Sequence, residues 1–222
     1  MFANSRSVTS SQNAAHPRLA EIVERHLHNP YRRVPSAMGR AAFARIASRL
    51  AQNDGRIVLD AGCGTGLSAF ALARRHPGEF VVGVDKSAAR LAVGGRVDRG
   101  PGDDIVPPNA ALLRCDLVDF WQLAAAAGVR CSTQYLLYPN PWPKPEHVMR
   151  RWHAHPVLPS LLALGGTIEL RTNWRIYADE FEQALALAGR RPRTEQLVRD
   201  EPLTPFEHKY LASGHALWIC RA

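Results

Sequence analysis

RIVLDAGCGTG, residues 56–66, joins an apolar run to a glycine-rich turn, and its reading decides the fold. RIVLDAG reads as a buried strand. Gly62, Gly64 and Gly66 then follow before a helical stretch at 67–76. Glycine lets backbone N–H groups approach a ligand where a Cβ would collide. The spacing is GxGxG, so it lacks the third glycine of a GxGxxG dinucleotide loop. It also places a carboxylate, Asp60, directly before the turn. An acid there repels a pyrophosphate but can hold an ammonium group.

The pattern repeats outward from this segment. VVGVD (81–85), ALLRCD (111–116), QYLLYP (134–139) and GTIELRT (166–172) read as further strands. Helical stretches are predicted at 67–76, 86–97, 117–127, 153–163 and 174–188. Strands alternating with helices imply right-handed βαβ units and a mostly parallel sheet covered on both faces. DRGPGDDIVPP (98–108) is too rich in Gly, Pro and Asp for either element and is predicted to be a surface loop. TEQLVRDE (194–201) and HALWICRA (215–222) read as two final strands around a loop, PLTPFEHKYLASG. Upstream, a helix is expected over Arg18–His28, and Ser36 is placed to cap a second helix running to about Ala51. Residues 1–16, rich in Ser, Asn and Ala, are expected to be a disordered tail. The remainder, 17–222, is read as one domain, with amino-terminal helices over 17–52 and a catalytic core over 53–222.

Three acids follow three successive strands: Asp60, Asp85 and Asp116. Open α/β sheets bind ligands at the carboxyl ends of their strands. Asp85 is placed to accept both hydroxyls of a ribose, and Asp116 to neighbour an adenine. S-adenosylmethionine has an ammonium group, a ribose and no phosphate, so this acid pattern favours it over NAD. Gly62, Gly64 and Gly66 complete the expected cofactor site, as in class I methyltransferases, which the arrangement resembles.

LYPNPWPKPEHVMRRW (137–152) follows the fourth strand, at the same edge. Pro139, Pro141, Pro143 and Pro145 fix φ and stiffen the loop. Lys144, His147, Arg150 and Arg151 form a basic cluster suited to RNA phosphates, in a chain of net charge +8. The stretch resembles the PDPWxKxxHxxRR signature of bacterial tRNA (guanine-N7-)-methyltransferases. LRTNWRIYADEFEQAL (170–185) resembles that family's TDxxxYxxxxxE segment, and TPFEHKYLASGHALW (204–218) its TxFExRxxxxGHxVxD close.

The resemblance implies a Rossmann-like class I methyltransferase with a seven-stranded sheet of order 3-2-1-4-5-7-6, its last strand antiparallel. It implies methyl transfer from S-adenosylmethionine to N7 of guanine in the tRNA variable loop. Asn140 would stand at the reaction centre and beside the cofactor. Lys144, His147, Arg150, Asn173, Thr204, Pro205, Phe206 and Glu207 would bind tRNA, with Glu207 accepting from the guanine N1–H and N2–H₂ edge. His208 and Lys209 are expected near phosphate.

Two positions depart from the family: Asn140 and Asn173 stand where it has aspartate. Asn140-Pro141-Trp142 is also similar, in part, to the N-P-P-[YF] loops of enzymes that methylate amide or adenine nitrogens. Two alternatives therefore stay open. One is a paralogue acting on another RNA or a small base; the other is an RNA-binding protein with weakened turnover.

Other features point away from further chemistry. The four cysteines, at 63, 115, 131 and 220, form no CxxC pair. His153 and His155 have an HxH spacing but no matching acid or cysteine, so no metal is expected. Asp179 and Glu180 are expected on the solvated face of a helix. No signal-peptide core and no membrane-length apolar run is present, so a cytoplasmic protein is expected. Monomer and homodimer both stay open.

Overall fold

The computed structural model describes residues 5–94, 106–198 and 202–222. Seven strands form one sheet: β1 Ile57–Ala61, β2 Phe80–Asp85, β3 Ala110–Arg114, β4 Thr133–Leu137, β5 Thr167–Thr172, β6 Arg193–Gln196 and β7 Trp218–Arg221. Their order is β3-β2-β1-β4-β5-β7-β6. β1, β2, β3 and β4 run parallel, and β7 pairs antiparallel with β5 and β6. The order is the one the resemblance implies. β1 and β2 are buried along their whole lengths, which explains their unbroken apolar runs.

The helices are α1 Leu19–His28, α2 Ala37–Ala44, α3 Ala47–Gln52, α4 Leu67–Arg75, α5 Ala88–Gly94, α6 Leu117–Ala126, α7 Leu158–Ala163, α8 Arg175–Leu187 and α9 Pro205–Ala212. Helices cover both sides of the sheet. Contacts sort the chain into two compact units. The first holds Val34–Tyr135 and Ala163–Gly166; the second holds Met1–Arg33, Leu136–Leu162 and Thr167–Ala222.

Local differences from the sequence reading have physical causes. Ser36 caps α2 by accepting from Gly39 N, but the expected single helix breaks before α3 begins at Ala47. The helix expected at 153–163 starts only at Leu158, because His155 precedes a proline and is extended, with φ −79° and ψ 143°. Short 3-10 turns, Pro145–Arg150 and Trp152–Ala154, precede it.

The closing loop contains α9. Thr204 caps it by accepting from Glu207 N, and Pro205 occupies the first turn, where its missing N–H costs nothing. Residues 98–105 of the expected surface loop, and 199–201 of an expected strand, lie outside the described residues.

Residues 5–16 form no helix or strand but make hydrogen bonds within their unit. Ser5 N donates to Ser213 Oγ (3.1 Å), and His215 Nε2 lies 2.9 Å from Ser5 O. Gln12 Nε2 and His16 N both donate to Glu180 Oε1, at 2.6 and 2.9 Å. A buried carboxylate thus organises a segment whose composition alone gives it nothing to fold around.

Candidate active site

In the first unit, the expected cofactor residues converge at the carboxyl ends of adjacent parallel strands. Gly62, Gly64 and Gly66 all have positive φ, at 88°, 58° and 83°. Two of them serve different needs. A Cβ on Gly66 would lie 2.5 Å from Leu112, so that glycine permits close packing. A Cβ on Gly64 would meet nothing within 4 Å, so there the turn faces open space.

Asp85 Oδ2 accepts from Gly64 N (3.0 Å) and its Oδ1 from Ser87 N (2.7 Å), tying the turn to the end of β2. Asp116 caps α6 by accepting from Val118 N at 3.0 Å. Asp60 is fully buried. Its Oδ2 accepts from Ser68 Oγ at 2.5 Å, while its Oδ1 has no hydrogen-bond partner. Burial, with the charge of Asp85 adding to it, pushes the Asp60 carboxyl up to about 7 despite the Ser68 bond. A buried carboxylate oxygen without a donor is rare and costly. A cationic ammonium would supply such a partner, so the residues fit S-adenosylmethionine.

In the second unit, the proline-rich segment leaves β4 through two left-handed non-glycine residues, Tyr138 (φ 52°) and Trp142 (φ 45°). Such conformations are costly and cluster at functional sites. Asn140 is exposed, and its Oδ1 accepts from Trp142 N at 3.2 Å in a local turn. Lys144 and Arg150 are exposed; the Arg150 guanidinium lies 4.7 Å over the Trp142 ring, and His147 meets the same ring edge-on at 5.7 Å. Arg151, expected among the phosphate contacts, is buried instead. Its Nη1 lies 2.5 Å from Glu180 Oε2, and His153 Nε2 lies 2.9 Å from the same oxygen.

Glu180 is therefore not on a solvated face. It lies on the buried side of α8 with Tyr177, Phe181 and Ala184. Burial opposes its ionisation, but the bonds from His153 and Arg151 outweigh that and hold the carboxyl at about 2. The i, i+4, i+7 spacing of its apolar neighbours is the signal that could have placed it inside.

Glu207 is buried in the same way. Its side chain is fully buried, and both oxygens accept from Arg171 Nη1, at 3.1 and 3.0 Å, so it does not offer a free carboxylate to a guanine edge. Arg171 Nε also pairs with Glu169 Oε1 (2.7 Å), and Arg221 Nε with Glu169 Oε2 (2.8 Å). Thr204 is buried as the cap of α9, while Pro205 and Phe206 are exposed. Asn173 Nδ2 lies 3.2 Å from His215 Nδ1.

The Tyr138 and Tyr210 rings, 5.4 Å apart, bring the proline-rich segment and α9 together. Tyr210 in turn stacks on Phe206 and on His215, at 6.2 and 5.3 Å. The sequence reading missed this aromatic row, since its members are spread over more than seventy positions. Among the described residues, no cluster of His, Cys, Asp or Glu could hold a metal ion, and no helix is long and apolar enough to cross a membrane.

Residues 54–220 match a family profile described as "Putative methyltransferase". A tRNA (guanine-N(7)-)-methyltransferase of Leifsonia xyli subsp. xyli is 31% identical over 195 residues, covering 80% of this chain and 77% of that one. The enzyme of the same name from Thiobacillus denitrificans is 30% identical over 185 residues, covering 80% and 76%. The 16S rRNA methyltransferase KamB shares the fold at a TM-score of 0.57 with 18% identity, covering 79% of this chain and 91% of that one. A second solved structure, of an antibiotic-related methyltransferase, shares it at a TM-score of 0.56 with 16% identity, covering 86% and 94%. Glycine turn, acids, sheet order and relatives agree: the chain belongs to the tRNA (guanine-N(7)-)-methyltransferase family and is an S-adenosylmethionine-dependent methyltransferase.

Proposed function

We propose that the chain transfers a methyl group from S-adenosylmethionine to N7 of guanine in the tRNA variable loop, in the cytoplasm. The observation that carries this reading is the solvent-facing loop after β4, which presents Asn140, Lys144 and Arg150 beside a left-handed Trp142. The names of the curated relatives support the acceptor.

The cofactor, when bound, supplies an electrophilic methyl. Asp60 would pair with its ammonium, Asp85 with the ribose hydroxyls, and Asp116 would lie by the adenine. N7 of neutral guanine carries a free lone pair and no proton, so no residue has to act as a general base. The protein's contribution is then alignment, with some compensation of the charge the base gains. Asn140 would orient the acceptor by hydrogen bonding. Lys144 and Arg150 would meet phosphates, and exposed Phe206 at the end of its aromatic row would offer a stacking face. With Glu207 held by Arg171, base recognition would fall to these exposed groups and to main-chain atoms of α9.

Labelled donor, a mixed tRNA pool and mapping of the product test this. Label at N7 of guanine supports the reading; label on another atom, or none, overturns it. A second reading, an enzyme with altered or slower transfer, is favoured by Asn140 and Asn173. One lost electrostatic contact of this kind costs about 10²–10³ in rate. Asn140→Asp should then raise kcat, while an unchanged or lower kcat would show that the loop is built around asparagine.

A further inference from the structure

Glu180 sits at the centre of a buried hydrogen-bonded network that reaches the acceptor loop through one side chain. Its carboxylate, and the Arg151 guanidinium it pairs with, are both at 0% exposure. Arg151 directs its other N–H groups at the loop backbone. Nε and Nη2 donate to Trp142 O at 3.2 and 3.1 Å, and Nη2 also lies 3.4 Å from Lys144 O. The same Nη2 donates to Gln12 Oε1 at 2.9 Å, and the guanidinium lies 4.8 Å over the Trp174 ring. Gln12 and His16 bond in turn to the second Glu180 oxygen. All three nitrogens of the planar fork are thereby hydrogen-bonded, and its plane is fixed by an aromatic face.

We propose that Glu180 is a positioning residue for methyl transfer: acting through Arg151, it holds the main chain of residues 142–144, and with it Asn140 and Lys144, in the shape the reaction needs. Trp142 has a φ of 45°, which a tryptophan adopts only under restraint. Besides the fork, the stretch is held by Asn140 Oδ1 accepting from Trp142 N, by His147 N donating to Lys144 O at 3.0 Å, by Ser10 Oγ donating to Pro143 O, and by the rings that flank Trp142. The firm restraint comes from the buried fork, which grips a carbonyl at each end of the Trp142–Lys144 stretch. Glu180 fixes the fork in place and compensates its charge. The proposal rests on the reading of this segment as the acceptor loop of a methyltransferase.

Arg151→Lys is the discriminating variant. A lysine keeps the charge beside Glu180 but is a single flexible head that cannot hold both carbonyls. We expect kcat to fall about 10- to 100-fold, as misplaced reacting groups do. The Kd for S-adenosylhomocysteine and the KM for RNA should stay within about threefold. Glu180→Gln should move kcat the same way, with an added loss of Tm.

A second readout needs no acceptor. In 5-fluorotryptophan-labelled protein, the Trp142 resonance, assigned with Trp142→Phe, should shift or broaden in Arg151→Lys, while Trp121 in the other unit stays put. A kcat within twofold of wild type, or a loss that only tracks the unfolded fraction, overturns the proposal. So does an unmoved Trp142 resonance. If no RNA is methylated by any form, the assigned acceptor fails, and the resonance alone decides the positioning role.

Discussion

In the unit spanning Val34–Tyr135, Asp60 is buried with one oxygen bonded to Ser68 and the other bonded to nothing. In the second unit Glu169, Glu180 and Glu207 are buried about as deeply, yet each meets an arginine. Isolated buried charge is among the most costly features a fold can carry. A chain that pairs three acids with guanidiniums has the means to pair a fourth. Leaving Asp60 half-satisfied is consistent with a counterion that arrives as a ligand. The three paired acids build a scaffold, and the groups proposed to meet the acceptor are exposed and carry little of the fold's stability.

The contrast can be broken most directly at Asp60. Asp60→Asn should weaken S-adenosylhomocysteine binding about 10²–10³-fold, the usual cost of removing one partner of a buried charged contact. Its melting temperature should hold or rise, since a strained carboxyl is gone. Calorimetry and thermal melts measure both, and wild-type affinity in the variant would end the ligand-counterion reading.

Arg171→Met is the mirror experiment. It strips Glu207 of its partner and should cost about 3–5 kcal/mol in urea unfolding. A loss below about 1 kcal/mol would mean that the buried pairs do not act as a scaffold.

Proton linkage sharpens the same comparison with a smaller effect. Asp60 sits at about 7 when folded, above its unfolded value, so its protonated form favours the fold below the carboxylate range. That contribution is lost as pH rises toward 7. Glu180 has the opposite sign: held at about 2, it stabilises above the carboxylate range, and that stability fades as pH falls toward 2. An ammonium ligand needs Asp60 ionised. Donor affinity should therefore rise about tenfold from pH 6 to pH 8, with proton release, and the rise should vanish in Asp60→Asn. The smallest expected effect is at exposed Lys144 of the second unit. Lys144→Ala should lower RNA affinity a few-fold and reduce the slope of log K against log salt by about 1, leaving donor affinity unchanged.

The difference between the units also explains what could be read from the sequence. The glycine turn and its acids are local signals, each at the carboxyl end of its own strand, and neighbouring parallel strands bring them together. The scaffold of the second unit is assembled from distant partners. Arg151 and Glu180 are 29 positions apart, and Arg171 and Glu207 are 36 apart. Each side chain taken alone reads as a surface charge. A cue was present at Glu180, which shares the apolar stripe of α8 with Tyr177, Phe181 and Ala184. Another was present in TPFE, where a capping threonine, a first-turn proline and an acid three residues after the cap mark a helix start. Reading that run as a binding loop concealed α9, and with it the burial of Glu207.

The contacts of His215 bear on why asparagine stands at position 173. The carbonyl of Ser5 can only accept, so the imidazole nitrogen facing it, Nε2, must carry the hydrogen. In a neutral ring the opposite nitrogen is then a bare lone pair, and the amide NH₂ of Asn173 suits it. An aspartate in that place would require hydrogens on both nitrogens, an imidazolium. Asparagine thus complements an imidazole whose other nitrogen clasps the amino-terminal segment, tying this departure from the family pattern to the hydrogen bonding of a neighbour.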